Sequence, residues 1–383
     1  MDHNEDTIDP SAPIEIAGAG PAGLAAAITL ATAGRRVIVH EAHQEVGQRF
    51  DGDFQGIENW TTEEDALATL STAGLTTAFT AKPYCQGSAF DASGKRYEIK
   101  TNEPLFYLVE RGPGPDTLDS ALLQQAQELG VEVRFNSRLQ HIAGAGILAS
   151  GPHAADAIAV GYHFDTDIED GFWVICDDNL APQGYAYLLI MGGKGTVKSC
   201  MFSDFKQEKI YVQRTIEAFQ KLTGLDMHNP RPHGGSGNFV IPDSAYGGIH
   251  PIVGEQAGFQ DTLWGFGMRL AISSGVLAAQ SLLNHENYDR LWQQQLKPQM
   301  ETSIVNRAMF SLLGNRGYRW FLRNQASNPD LRTSLRHQYR GSFFKRLLLP
   351  LARLRYQSQR KNVSCNHVDC QCVWCRSQRC SHG

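Results

Sequence analysis

IEIAGAGPAGLAAAITLATAGRRVIVHE, residues 14–41, reads as a strand, a glycine turn, a helix and a second strand. IEIAG is a short buried strand, and PAGLAAAITLATAG is an alanine-rich helix closed by Gly34. RRVIVHE is a second strand whose apolar run suits a parallel sheet covered on both faces. The turn carries Gly18-x-Gly20-x-x-Gly23. Gly18 permits the tight turn, Gly20 lets backbone approach a pyrophosphate, and Gly23 lets helix and strand pack closely. Pro21 and Ala22 open the helix, whose positive N-terminus suits the phosphates. Glu41 ends the second strand, where an acid can accept hydrogen bonds from a ribose diol. An acid at this place disfavours a 2′-phosphate, so the dinucleotide is FAD or NAD rather than NADP. Ile16–Gly34 is uncharged and long enough to imitate a membrane span, but it opens on this glycine turn. No other uncharged apolar run reaches the ~18 residues a span needs, so no transmembrane helix is expected.

Outward from this unit, residues 42–105 are mixed, with a helix expected near Glu63–Ala73. PDTLDSALLQQAQELG (115–130) is a helix with Pro and Asp in its first turn and Gly130 at its end. VEVRFNSRLQHI (131–142) alternates as a strand does, and AGILAS (145–150) is a short buried strand. Residues 156–212 switch to β-rich runs separated by Asp, Asn, Pro and Gly, which predicts an antiparallel sheet. A helix at 210–224 precedes a Gly/Pro-rich stretch, NPRPHGGSGNFVIPDSAYGG, read as a loop. The expected fold is α/β: a doubly wound, Rossmann-type dinucleotide-binding domain with a β-rich insert and a helical C-terminal region. The unit spans 12–290, with nucleotide-binding pieces at about 12–80, 110–152 and 240–290 and the insert at about 153–239. A basic helical region follows at 291–360, and a cysteine-rich tail at 361–383.

A second glycine-bearing segment runs through Gly254-Glu255-Gln256-Ala257-Gly258 to Gly265-Phe266-Gly267-Met268-Arg269 and feeds a long helix. Backbone donors at a helix start suit the pyrimidine edge of a reduced flavin, where negative charge develops. GAGPAGLAAAITLATAG…RVIVHE, PDTLDSALLQQAQELGVEVRF with ILASGP, and VGEQAGFQDTLWGFGMRLAISSGVLAAQSLL occur in the order seen in flavoprotein hydroxylase-type proteins. Over residues 14–290 the chain most resembles the geranylgeranyl reductase family within that group. The resemblance implies that the doubly wound domain is a Rossmann-type FAD-binding domain holding FAD by two discontinuous segments, and that the β-rich insert at about 153–239 is a substrate domain. It places Gly18, Gly20 and Gly23 at the pyrophosphate, Glu41 at the adenosine ribose, Arg49 closing over the cofactor, Glu255 beside the ribitol chain, and Gly265 and Gly267 near the isoalloxazine. Two features depart from the family. No Cys-Gly-Gly follows the second strand, and Tyr185-Ala186-Tyr187 stands where Tyr-x-Trp is usual. No Trp-x-Trp-x-Ile-Pro of the flavin-dependent halogenases is present.

The resemblance implies an FAD-dependent oxidoreductase that takes electrons from NAD(P)H and reduces an activated or isoprenoid-type double bond of an apolar or amphipathic substrate. A flavin monooxygenase shares the scaffold and is the alternative, and a non-catalytic redox-sensing flavoprotein is a second. The aromatics Tyr162, Phe164, Phe172, Trp173, Tyr185 and Tyr187 read as strand core that can also line an apolar pocket. His233 and His250 have no partner at a recognisable spacing and receive no role.

Composition bounds the rest. The chain has 383 residues and net charge −5, unevenly spread. From Lys297 onward it carries 16 Lys+Arg against 3 Asp+Glu, and before that 19 against 37. The basic end, with Leu/Phe and Arg/Lys interleaved over 341–355, predicts contact with an anionic membrane surface or packing on the acidic body, with Pro350 interrupting any continuous helix. No nucleic acid is expected as a partner. The acidic start MDHNEDTIDP lacks the apolar run of a secretory signal, so the expected location is cytoplasmic, peripheral to the inner face of the membrane. Five of eight cysteines fall in the last 19 residues. Four groups among Cys365, His367, Cys370, Cys372, Cys375 and Cys380 are expected to hold one metal, zinc in tetrahedral geometry or an iron–sulfur cluster.

Overall fold

The computed structural model describes residues 12–355, apart from 153, 154, 240 and 329. The chain opens β1 (Ile14–Ala17), α1 (Pro21–Thr32), β2 (Val37–His40), β3 (Phe54–Glu58), α2 (Ala66–Thr72), β4 (Ala81–Tyr84), β5 (Gln86–Asp91), β6 (Arg96–Lys100), β7 (Phe106–Glu110), α3 (Leu118–Glu128), β8 (Glu132–Arg134) and β9 (Gly146–Leu148). It continues β10 (Ala157–Asp165), β11 (Gly171–Cys176), β12 (Tyr185–Met191), β13 (Lys194–Met201), α4 (Glu208–Thr223) and β14 (His228–Gly237). The C-terminal part is helical: α5 (Met268–Asn284), α6 (Tyr288–Gln295), α7 (Lys297–Ala326), α8 (Leu331–Tyr339) and α9 (Phe343–Arg355).

β1 is the pivot of a four-stranded parallel sheet in the order β8-β2-β1-β9. α1 covers it and is buried from Ala22 to Ile28, because alanine side chains let neighbours approach on every side. α5 crosses α1 so closely that a Cβ on Gly275 would overlap the carbonyl oxygen of Ala22. Distant parts of the sequence, the first helix and the helix after the second glycine segment, thereby become one layer.

A seven-stranded sheet, in the order β14-β10-β13-β12-β11-β5-β6, stands beside this unit. It is antiparallel apart from the β11–β5 pair. Residues 81–109, which no FAD-binding piece or insert claimed in the sequence, supply β4–β7, and β5 and β6 extend this sheet. A small antiparallel sheet, β3-β7-β4, joins the two units.

Three local expectations are corrected. Residues 131–142 form a strand only over Glu132–Arg134, because Asn136 turns at φ +50° and the chain folds over the end of β2, where Asn136 N donates to His43 O and Ser137 N to Glu41 O. The Gly/Pro-rich stretch is not all loop: His228–Gly237 is a ten-residue strand paired to β10. It tolerates Pro230 and Pro232 because it is an edge strand, where one row of N–H groups has no ladder partner to lose. Pro350 lies inside α9 rather than breaking it. No helix among the described residues is long and apolar enough to cross a membrane.

Candidate functional site: a cavity between the two sheets

The glycine turn after β1 is dictated by sterics. Gly18 has φ +113°, and a Cβ there would overlap Ala149 O. Gly23 packs against Gly18 O with no room for a side chain. Gly20 differs, since a Cβ on it would meet nothing within 4 Å. That space is part of a cavity of about 1170 Å³, lined here by Gly18, Gly20, Pro21, Ala22, Glu41 and Arg49. Gly20 caps α1 without a side-chain hydrogen bond, leaving the first helical N–H groups to a ligand. Glu41 Oε2 accepts from Ala19 N at 2.9 Å and its Oε1 accepts from His43 N at 3.0 Å, so the acid also holds the turn in shape.

The second glycine segment reaches the same cavity from the other side. Gly254 (φ +61°) donates its N–H to Ser274 Oγ at 2.8 Å, which pins it to α5. Glu255 is held in a single 3-10 turn; burial pushes its carboxyl up, and the Arg49 and Arg111 charges oppose that. Arg49 Nη2 reaches Ser236 Oγ at 3.3 Å. Arg111 was not singled out in the sequence. It makes a two-pronged pair with Asp119 (2.6 and 2.9 Å), touches Gln55 Oε1 at 2.6 Å, and lies 4.8 Å above the Phe50 ring. Gly265 (φ +75°) and Gly267 flank Phe266, which packs edge-on to Trp60 at 4.9 Å. Met268 starts α5, and its sulfur accepts from Arg111 Nη1 at 3.3 Å.

The loop before α5 is braced from behind. The fully buried Arg307 on α7 donates to the carbonyls of Thr262 (3.1 Å), Leu263 and Gln183 (2.7 Å). Ser303 Oγ accepts from Thr262 N and Leu263 N while donating to Asp261. Eleven of the twelve cofactor residues named from the sequence line one cavity, and the twelfth, Gly23, packs behind it against Gly18 O.

Away from the glycines the wall becomes apolar. Phe172, Val174, Tyr185, Tyr187 and Leu189 line it from β11 and β12, and Leu331 and Leu335 from α8. Alternation sends Trp173, Tyr162 and Phe164 to the opposite face, where they pack with α4. Tyr185 OH donates to Trp264 O, tying the sheet to the loop before α5. Cys176 and Cys200 also line the wall, and burial pushes their thiols up to about 12 and about 11.

A buried charged cluster interrupts this wall. Lys198 Nζ on β13 lies 2.5 Å from Asp53 Oδ1, and His163 Nε2 on β10 lies 3.0 Å from the same oxygen. Burial alone would raise the Asp53 carboxyl, but Lys198 and the His163 hydrogen bond hold it far below the usual range. His233 on β14 stacks on His163 with centroids 4.2 Å apart, and burial with the Lys198 charge pushes it down to about 4. In the register Gly161 stands between Lys198 and His233, where a Cβ would overlap Val197 O on the neighbouring strand. The ligand atoms of Asp53, His163 and His233 lie within 4.8 Å of one another, a set that could hold a metal, but Lys198 places its ammonium where a cation would bind Asp53. This cluster was missed in the sequence. The one legible signal was a lysine and a histidine at inward positions of alternating apolar strands. The expected tail ligands Cys365, His367, Cys370, Cys372, Cys375 and Cys380 lie outside the described residues. Cys85, Cys176 and Cys200 are free thiols.

Residues 11–147 match the family described as FAD binding domain. No curated protein matches the chain in sequence. Among solved structures, a geranylgeranyl bacteriochlorophyll reductase-like protein from Thermoplasma acidophilum is similar with a TM-score of 0.69 at 17% identity, over 90% of this chain and 98% of that one. A flavin-dependent brominase is similar with a TM-score of 0.61 at 14% identity, over 90% and 98%. A 2-methyl-3-hydroxypyridine-5-carboxylic acid oxygenase is similar with a TM-score of 0.56 at 15% identity, over 84% and 95%. At these identities the likeness is one of fold, and that fold is the flavoprotein hydroxylase type, reductase-like proteins included.

Proposed function

We propose that this chain, whose residues 11–147 carry an FAD-binding domain, uses NAD(P)H to reduce a carbon–carbon double bond, activated or isoprenoid, in an apolar or amphipathic substrate. The carrying observation is the cavity itself. At about 1170 Å³ it exceeds the roughly 300–1,000 Å³ of an ordinary small-ligand site, and its glycine-walled end opens into an aromatic end with no break. FAD fits the first end: Gly20 leaves the space a Cβ would fill, α1 presents uncapped N–H groups, and Glu41 and Glu255 stand at the two sides. Bound there, FAD would supply two-electron chemistry to the aromatic end.

The chain's own residues do the remainder. Phe172, Val174, Tyr187 and Leu189 exclude water and hold an apolar chain by burial. Lys198 Nζ is the proton-bearing group of that wall, and Asp53 orients it. Overall, NAD(P)H loses a hydride, the double bond gains two hydrogens, and one of these comes from water as a proton. An oxygenase is the second reading, because the same fold serves a pyridine-carboxylate oxygenase.

The test is anaerobic. Protein mixed with NADH or NADPH and either geranylgeranyl diphosphate or a polar-lipid extract should yield products heavier by two hydrogens in mass spectrometry. Product that appears only with O₂, carrying an added oxygen, would establish the oxygenase instead. Flavin that neither nucleotide reduces would overturn the NAD(P)H-dependent reading.

A further inference from the structure

α9 has two apolar faces, and the fold uses one of them. Leu348, Leu349 and Ala352 pack against the core, with Ala352 buried. Phe343, Phe344, Leu347, Leu351 and Leu354 are 79%, 59%, 62%, 67% and 70% exposed. At 3.6 residues per turn these five fall within an arc of about 100°. On the same turn geometry Arg346 and Arg353 flank one edge of the arc and Arg355 the other. The helix keeps this arrangement although Pro350 costs it a backbone hydrogen bond, so the exposed stripe is continuous.

We propose that α9 is an in-plane membrane anchor, whose exposed stripe enters the interface of a bilayer containing anionic lipid while Arg346 at its edge meets the headgroups. Arg353 and Arg355 donate to Ile241 O and Gln183 Oε1 and hold the helix on the body. Five large apolar side chains on one arc give a driving force that water-facing placement wastes. The charge pattern selects the occupant. From Arg340 to Arg355 the chain carries Arg340, Lys345, Arg346, Arg353 and Arg355 and no Asp or Glu, with Arg353 also facing Asp243 at 3.5 Å. An isologous pair of chains would set these arginines against themselves, whereas anionic headgroups neutralise them. No described helix is long and apolar enough to span, so the geometry is that of a helix lying in the surface. α8, three residues before α9, supplies Leu331 and Leu335 to the cavity wall, which puts the apolar end of the cavity next to the anchor in the chain. The inference does not depend on the reaction proposed above, since vesicle binding is read without turnover.

The experiment uses the full chain with FAD bound, sedimented with sucrose-loaded vesicles of phosphatidylcholine alone or mixed equally with phosphatidylglycerol. The wild type should bind the mixed vesicles and be released as salt rises from about 0.1 M to 1 M, where the Debye length shrinks from about 10 Å to 3 Å. Leu347→Gln with Leu351→Gln should lower the partition coefficient by at least about tenfold. Arg346→Gln should lower it by about fivefold. Neither variant touches the cavity lining, so both should keep FAD at the wild-type ratio, which reports that they fold. Undiminished binding by the leucine variant, or no binding by the wild type to either vesicle, would overturn the anchor. So would a dimer in light scattering that the leucine variant splits, because a second copy would then cover the stripe.

Discussion

Around Gly18 and Gly20 the cavity is walled by backbone, whereas along β10–β13 it is walled by side chains. The first end is specified by what is missing: a Cβ at Gly18 or Gly23 overlaps main chain, and one at Gly20 would enter the ligand space. The second end is specified by alternation, which sends Tyr185, Tyr187 and Lys198 inward and Trp173 outward. A backbone site tolerates almost no substitution, and its chemistry is fixed. A side-chain wall can be rewritten residue by residue while the sheet survives. This accounts for a fold shared with proteins described as reductase-like, brominase and oxygenase at 14–17% identity.

The largest effect should come at the backbone end. Gly20→Val should purify without FAD and resist reconstitution, read by flavin absorbance, while circular dichroism shows the helices intact. Retention of FAD would break the contrast, because a side chain there must occupy the phosphate space. Next comes the charged spot on the side-chain end. Lys198→Met alone leaves Asp53 buried without its cation and should lose about 3–5 kcal/mol in chemical denaturation. Lys198→Met with Asp53→Asn should recover most of that stability and keep FAD, yet turn over about 10²–10⁴-fold more slowly. Full turnover in the double variant would remove Lys198 from the mechanism.

A smaller effect sharpens the same region through pH. His233 is pushed from 6.5 down to about 4, so the unfolded chain binds a proton more readily than the folded one. The stability this represents is fully present above pH 6.5 and is lost as pH falls toward 4, by roughly 1–3 kcal/mol. The groups facing His233 are Asp53, Lys198 and His163, with the Arg49 carbonyl. His233→Gln should flatten the denaturation profile over that window, and an unchanged slope would place the titration elsewhere. The smallest effect belongs to Tyr185→Phe, which removes the donor to Trp264 O and should cost about 0.5–1.5 kcal/mol in thermal unfolding without loss of FAD.

Much of the backbone end is legible in the amino-acid sequence. Three glycines at fixed spacing between an apolar strand and an alanine-rich helix admit few other conformations, because φ and close approach are local properties. The alternating runs of β10–β13 are legible for the same reason. β14 is not, since Pro230 and Pro232 read as loop until an edge position makes them harmless. Arg111, Asp53 and Arg307 are not legible either, because each acquires its role from a partner far along the chain: Arg111 from Met268, Asp53 from Lys198, Arg307 from Gln183.

By itself, then, the sequence determined the nucleotide turn, the identity of most strands and helices, the place of the second glycine segment and the amphipathic character of 343–355. These depend on steric preference and periodicity within a few residues. Only the tertiary structure decided that α1 and α5 form one layer, that β5 and β6 extend the large sheet, that Lys198 meets Asp53 on an aromatic wall, and which apolar face of α9 is covered. Each of those is a matter of which surfaces meet, and burial and charge pairing act through space rather than along the chain.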